Sequence, residues 1–293
     1  MYRWLRVSPT GDGYIEPDYY DQLLRKYIFD GKEDTEYFRE HLAKAPSHSA
    51  FLELGPGTGR ATNILFASVP DIHSLTLVDL SSRMLSSCKQ VFTRKECISY
   101  VVSDSIDFLL SVQSSYDYIY SLWSLSHSIH KNLEDLGKED GKAKVREALL
   151  KMVRENLNRN GSLFLIHFDS SSPEQEISIR QRRRDSRDRK LFADVSKQSP
   201  SKEILDECLE ELRRSGEICF ECERHVGTAL EFSSLDEALE YYLNFHMASY
   251  FNTSSSIDDI LKELSQDLLE HQGSDGKIRI VPGCFIYKAS KPG

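Results

Sequence analysis

The stretch LELGPGTGR at 52–60 carries the most chemically suggestive spacing in the chain. Gly55, Gly57 and Gly59 fall at every second position, after an apolar run and before a helical one. Glycine takes backbone angles that other residues avoid and lets a ligand approach the main chain. A strand that ends in such a turn before a helix aims bare N–H groups and the positive helix end at a ligand. A phosphate-binding loop needs Gly-x-x-x-x-Gly-Lys-Ser/Thr; here Arg60 follows Gly59 and no Lys-Ser/Thr pair is present. The dinucleotide fingerprint Gly-x-Gly-x-x-Gly fails too, since its third glycine would fall on Arg60 or Thr62. What fits is acid-x-Gly-x-Gly-x-Gly, with Glu53 in front.

Other residues of chemical interest follow in order. Asp79 in LTLVDLS and Asp104 in VVSDSIDF each end an apolar run. A carboxylate at a strand end needs partners, and capping the next helix is the plain alternative to holding a ligand. The segment SLWSLSHSIHKN contains Trp123, His127 and His130. Histidine titrates near neutral pH, so either could act as a base or bind substrate; a satisfied structural or surface histidine is the alternative. As a zinc pair the two lack further obvious ligands. His167 ends the later run SLFLIHF. Cys219 and Cys222 read C-x-x-C, but in a strand-like segment they face opposite ways and no second half-site exists, so they read as ordinary cysteines.

These residues need elements to place them. SAFLEL (49–54), SLTLVDL (74–80), CISYVV (97–102), YDYIYSLW (116–123) and SLFLIHF (162–168) read as strands. Between them RATNILFASV (60–69), SSRMLSSCKQVF (81–92), SIDFLLSV (105–112) and the charged stretch 140–158 have helical spacing, the last stopping at NRNG. Strand and helix alternating in this way predict a parallel sheet covered on both faces. A helix (about 201–214), a strand (217–226), two helical stretches (about 234–251 and 256–270) and a closing strand (277–289) complete the chain. Residues 1–45 are polar, aromatic and read as mostly helical.

With the glycine turn, Asp79 and Asp104 at successive strand ends, and LNRNGSLFLI as helix, glycine turn and fifth strand, the sequence resembles the class I S-adenosylmethionine-dependent methyltransferases. The resemblance covers roughly 45–290 as architecture and 50–170 as motifs. It implies an α/β, Rossmann-like, seven-stranded and mostly parallel sheet with helices on both faces and the last strand antiparallel. An N-terminal helical cap (1–45) would precede a methyltransferase domain (46–293) with a helical insertion at about 230–272 before the last strand. The implied cofactor is S-adenosyl-L-methionine, leaving S-adenosyl-L-homocysteine. Glu53, Gly55, Pro56, Gly57 and Gly59 would lie under its methionine half. Asp79, with Leu80 beside it, would accept from the ribose hydroxyls, and Asp104 with the backbone at Ser105 would hold the adenine. Ser121 and Trp123 would face the cofactor at the end of the fourth strand, with lining the substrate pocket or serving as a core aromatic the alternatives for Trp123, and His127 and His130 there are the catalytic candidates. Tyr20 could close over the cofactor as part of an N-terminal lid, with Tyr14 and Tyr19 toward the substrate; helix packing is the alternative. His167, Tyr242 and His246 complete the substrate candidates, the latter two against the alternative of an amphipathic core helix.

Composition bounds the function. At 293 residues and 40% apolar, the chain can bury a large core. A net charge of −9 argues against a free nucleic-acid binder, and the motif Asn/Asp-Pro-Pro-Tyr/Phe with which the family methylates nucleic-acid amines is absent, with SLWS in its place. The run RQRRRDSRDRK (180–190) is the one basic feature: an RNA-contacting arm or a solvated helix face. No apolar run reaches membrane-span length, no signal peptide is evident, and the cysteines form no disulfide framework, so the cytoplasm is the expected compartment. The expectation is a methyltransferase acting on a nitrogen or oxygen of a small molecule in specialised metabolism, with no bound metal and a homodimer possible. An RNA or protein methyltransferase using Arg180–Lys190, or a non-catalytic cofactor-binding scaffold, are the alternatives.

Overall fold

The structure is a computed structural model that describes residues 17–93, 95–184, 199–245 and 257–293. These fall into two compact units. One holds 34–168, 199–224 and 285–293; the other gathers the described residues of 1–33, 169–198 and 225–284.

The first unit is built on the predicted sheet. Strands β3 (Ser49–Leu54), β4 (Ile72–Asp79), β5 (Ile98–Val102), β6 (Tyr116–Leu122) and β7 (Leu157–Phe168) all run parallel. With β8 (Cys219–Val226) and β11 (Gly283–Ser290) they form one seven-stranded sheet in the order β5-β4-β3-β6-β7-β11-β8. Hydrogen bonds from Asn160 N to Lys291 O at one end and from Asp169 N to Gly283 O at the other mean that β11 runs against β7. The chain goes from β3 outward to β4 and β5, then returns to the other side of β3 as β6. The strand order therefore reverses at β3, and the crevice between the carboxyl ends of β3 and β6 is the topological switch point where ligands bind in open α/β sheets. Helices α2 (Asp34–Leu42), α3 (Arg60–Ser68), α4 (Ser82–Val91), α5 (Ser105–Ser111), α6 (Ser124–Leu136), α7 (Lys138–Arg154) and α9 (Pro200–Arg214) surround this sheet. Their apolar faces and the β3 run, buried almost throughout, make the core.

Four local readings are corrected. Helix α6 occupies 124–136, a segment read above only for its histidines; Leu125, Ile129 and Leu133 recur every fourth residue and are buried, a helical signature. Helix α7 stops at Arg154, and NRNG lies inside β7. Tyr116 pairs with Leu157 but Tyr118 pairs with Ser162, so the four residues 158–161 make an excursion. Asn160 takes it at φ +63°, and Asn158 ties it to Asp117 through a 2.8 Å side-chain bond. The closing segment is two strands rather than one. Pro282 cannot donate to a ladder, so β10 (Ile278–Ile280) pairs with β9 (Leu230–Phe232) and the chain re-enters the main sheet only at Gly283. The N-terminal region is not all helix: β1 (Ile28–Phe29) and β2 (Lys32–Glu33) form a hairpin whose turn residues Asp30 and Gly31 both have positive φ, the two-residue Asp-Gly turn that suits strand twist.

The second unit packs α1 (Pro17–Leu24), α8 (Pro173–Arg184), α10 (Leu235–Phe245) and α11 (Ile257–Leu269) against β9 and β10. At its centre Tyr27 and Tyr241 donate to Glu174 Oε1, Tyr241 at 3.2 Å, and Tyr242 donates to the Glu174 carbonyl at 3.3 Å. Burial first, and the Glu174 charge second, push all three phenols well above their usual range. The arginines at the end of α8 turn onto α11. Arg184 donates to both oxygens of Asp267 at 2.8 and 3.1 Å, Gln181 adds a bond at 2.7 Å, and Arg180 reaches Glu270 at 2.7 Å. Among the described residues no helix is long and apolar enough to cross a membrane.

Asp267 holds both arginines and is only 4% exposed. Asp267→Ala leaves them facing each other without their shared partner. Its expected cost is about 2 kcal/mol, the arginines' exposure keeping it below the loss for a fully buried pair. Denaturant unfolding checks this, and a loss below about 0.5 kcal/mol, the range of ordinary surface substitutions, would contradict it.

Candidate active site

The site begins with the exit from β3. Gly55, Gly57 and Gly59 have φ of +76°, +54° and +96°. The two end glycines are also needed for space. A Cβ on Gly55 would lie 1.9 Å from Ser124 Oγ, and one on Gly59 would lie 2.7 Å from the Phe92 ring. The turn, with Pro56 between the first two glycines, is thus wedged between the starts and ends of neighbouring helices. Gly59 is the N-cap of α3 and brings no capping side chain, so the first N–H groups of that helix lack the usual side-chain partner.

Strand β4 locks the turn from one side. Gly55 N donates to Val78 O at 2.7 Å. Asp79, 7% exposed, accepts from Gly57 N at 3.0 Å with one oxygen and from Ser81 N at 2.9 Å with the other. Burial raises its carboxyl above the ordinary value, although the N–H donors of Ser81, Gly57 and Leu80 pull the other way. Beside it Leu80 is 43% exposed, and Val102, at the end of β5 next to Asp79 in register, is 59% exposed. Two apolar side chains therefore stand in the open at the carboxyl edge, flanking the buried acid.

Beneath the turn, Glu53 is buried and accepts from Thr62 Oγ1 at 2.6 Å and Tyr120 Oη at 2.8 Å. Its partners are in the protein, so it ties α3 and β6 to β3. Burial, with a smaller push from Asp79, takes its carboxyl from the ordinary 4.5 up to about 7.

Strand β6 supplies the opposite wall. Ser121 donates to Leu54 O at 2.7 Å and accepts from Leu125 N at 3.1 Å, which stitches β6 to β3 and starts α6. Trp123 follows at φ +70°, an uncommon conformation for a bulky residue. It is held on every side: its N–H bonds Ile166 O at 2.9 Å, its carbonyl accepts from Ser126 Oγ at 2.7 Å, its ring packs on Phe168, and its indole N–H donates to Asp34 Oδ2 at 2.7 Å. Asp34 also takes the Arg60 guanidinium in an ion pair whose acid is buried and whose arginine is half-buried. Neither Asp34 nor Arg60 was among the candidates; the available signal was a cation in the first turn of a helix, where it opposes the helix dipole and needs an acid.

The other candidates are placed as follows, Asp104 at the same edge, since Ser103 N donates to Asp79 O at 3.0 Å. Asp104 is the N-cap of α5: Oδ1 accepts from Ile106 N at 2.9 Å, Asp107 N at 3.4 Å and Asn132 Nδ2 at 3.0 Å, and Oδ2 from Ser128 Oγ at 2.7 Å. The capping alternative describes it, and Ser105 is the first, buried residue of that helix. His167 is corrected from substrate candidate to core residue: it is 2% exposed, with Nδ1 on Phe168 O at 2.9 Å and Nε2 on Ser201 Oγ at 3.0 Å. Tyr242 is likewise buried in the core of the other unit, where Tyr20 packs on Phe245. His127 is exposed on α6, its ring edge-on to Phe168, and His130 lies one turn on, half-buried. Tyr14, His246 and the side chain of Tyr19 lie outside the described residues. Among the described residues no group of three or more His, Cys, Asp or Glu side chains is placed to hold a metal.

Comparison with known proteins agrees with this geometry. Residues 51–139, from β3 through α6, match the family described as methyltransferase domain. The YcgJ protein of Bacillus subtilis superposes with a TM-score of 0.53 at 14% identity, covering 88% of this chain and 98% of that one. BH2331 of Bacillus halodurans, assigned as a methyltransferase, superposes at 0.50 with 16% identity, covering 89% and 100%. No curated protein sequence matches. Residues 51–139 are thus similar to a methyltransferase domain, and the fold is shared with these two solved structures.

Glu53 gives a prediction in pH. Its proton stays on in the folded state up to about pH 7 and leaves the unfolded chain near 4.5, so its contribution to stability falls as pH rises through that window. Glu53→Gln keeps both hydrogen-bond acceptances and removes the titration. Between about pH 4.5 and about pH 8 the variant is expected to gain about 3 kcal/mol on the wild type. Parallel stability curves for the two proteins would show that Glu53 ionises as an ordinary carboxyl.

Proposed function

We propose that this chain is a class I S-adenosylmethionine-dependent methyltransferase and that it transfers a methyl group to a nitrogen or oxygen of a small molecule. The observation that supports the donor site is the turn itself: alternating left-handed glycines, an N-terminus of α3 without a side-chain cap, and Asp79 fixed against Gly57. Backbone N–H groups at 60–62 suit the polar amino-acid end of the cofactor. Asp79, a buried acceptor at the end of β4, suits a pair of ribose hydroxyls, and the exposed side chains of Leu80 and Val102 suit the flat faces of adenine. S-adenosylmethionine supplies a methyl group already activated on a cationic sulfur. The protein then has to align the acceptor and take up its proton where it carries one. In this reading His127, exposed just after the Trp123 turn, receives that proton, with His130 behind it.

A small acceptor is favoured over RNA by the fate of the basic run. Arg180 and Arg184 are paired with Asp267, Glu270 and Glu263, while residues 185–190 of the run lie outside the described residues. The net charge of −9 points the same way.

The first experiment is calorimetric titration with S-adenosylhomocysteine, with NAD as control, on the wild type and Asp79→Ala. Binding of S-adenosylhomocysteine alone is expected, weakened about a hundredfold or more in the variant, as for a lost pair of charge-assisted bonds. Equal affinity in both would remove Asp79 from the donor site. Incubation with methyl-labelled donor should then place label in a small-molecule extract and none in tRNA; the reverse would sink the small-molecule reading.

A further inference from the structure

The switch-point crevice has two walls, and one residue reaches both. Arg60 belongs to the wall after β3, directly following the last glycine. Trp123 belongs to the wall after β6. Asp34, the first residue of α2 and 1% exposed, holds Arg60 through Oδ1 and the Trp123 indole N–H through Oδ2. Its own start of helix is anchored as well, since Oδ1 also accepts from Thr35 N at 2.8 Å. Helix α2 is seated firmly behind it: Phe38 stacks on Tyr120 of β6 at 4.5 Å and packs on Phe164 of β7.

Each part of this arrangement is costly alone. Arg60 places a positive charge at the positive end of α3. Asp34 is a carboxylate taken out of water. Trp123 sits in a left-handed conformation that persists only where its surroundings over-determine it. The three relieve one another only in this geometry. We propose that Asp34 is a positioning residue that staples the two walls of the methyl-donor crevice, fixing the Trp123 ring and the start of α3 at the spacing the donor needs. The proposal rests on the reading of that crevice as the donor site.

The test uses the chain's two tryptophans. Trp4→Phe leaves Trp123 as the only tryptophan, so its emission reports the indole environment directly. In that background Asp34→Ala and Asp34→Asn are compared with the parent by emission and by S-adenosylhomocysteine titration. Asp267→Ala, which loses stability in the other unit, is the control for a merely structural effect. Asp34→Ala is expected to shift Trp123 emission to longer wavelength and to weaken S-adenosylhomocysteine about tenfold, the scale of a lost charged hydrogen bond. Asp34→Asn keeps an acceptor for the indole but loses the charge facing Arg60. It should hold the emission and lose affinity part-way. Asp267→Ala should change neither. A folded Asp34→Ala that binds as the parent does overturns the proposal. Should that variant not fold, Asp34→Asn with parental affinity overturns it equally. A parent that fails to bind S-adenosylhomocysteine refutes the donor-site reading instead; the emission comparison then still decides whether Asp34 sets the Trp123 environment, and no difference between parent and Asp34→Ala ends the staple.

Discussion

Strand β3 is buried on both faces, and its chain has to reverse into α3 within five residues, Gly55 to Gly59. Three left-handed residues in alternation make that possible, and only glycine takes this conformation at little cost. The neighbours have closed in on the opportunity: Ser124 fills the space over Gly55, and Phe92 and Cys88 fill that over Gly59. The turn is thus a packing requirement as much as a binding device. Its position decides what else can exist at the carboxyl edge. Asp79 must reach Gly57, Ser121 must reach Leu54, and α6 must begin where Gly55 leaves room.

Three carboxylates crowd this region, and each is accommodated by a different physical means. Asp79 is met by backbone N–H groups, which carry no charge of their own but point at it. Asp34 is met by the Arg60 cation and an indole N–H. Glu53 is met only by two neutral hydroxyls, so burial prevails and the carboxyl keeps its proton to near neutrality. The gradient is consistent with the proposed methyl donor, whose sulfonium is positive. Acids are kept close, but none is left bare to trap the cation away from the reacting position.

The sheet was legible because parallel strands read as continuous apolar runs and the helices between them carry helical spacing. SAFLEL became β3 with the expected ends, and Ser81 caps α4 as its position suggests, through a bond from Met84 N. Helix α6 was obscured because its serines and histidines drew attention to chemistry, while Leu125, Ile129 and Leu133 carried the helical signal. Residues whose role depends on what packs over them were harder. Nothing in the residues around His167 tells that Ser201, thirty-four positions on, occupies its Nε2. Asp104 was open to two readings from sequence, and Ser128 and Asn132 on α6 bind the same carboxylate that caps α5. The Asp34–Arg60–Trp123 set was hidden for the same reason: it joins residues 26 and 89 positions apart.

The basic run shows why a charge pattern alone does not identify a partner. Read along the chain, RQRRRDSRDRK is open to two readings, an RNA-contacting arm or a solvated helix face. In the fold, α8 lays Arg180 and Arg184 along α11, whose acids at 263, 267 and 270 recur at the spacing of one helix face. An arginine whose fork is already filled by a carboxylate has to give up that pairing before it can meet a phosphate. The exchange gains little, because one charged hydrogen-bonded pair merely replaces another. The acids of α11 therefore hold these two arginines back from a polyanion as well as packing α8 against α11.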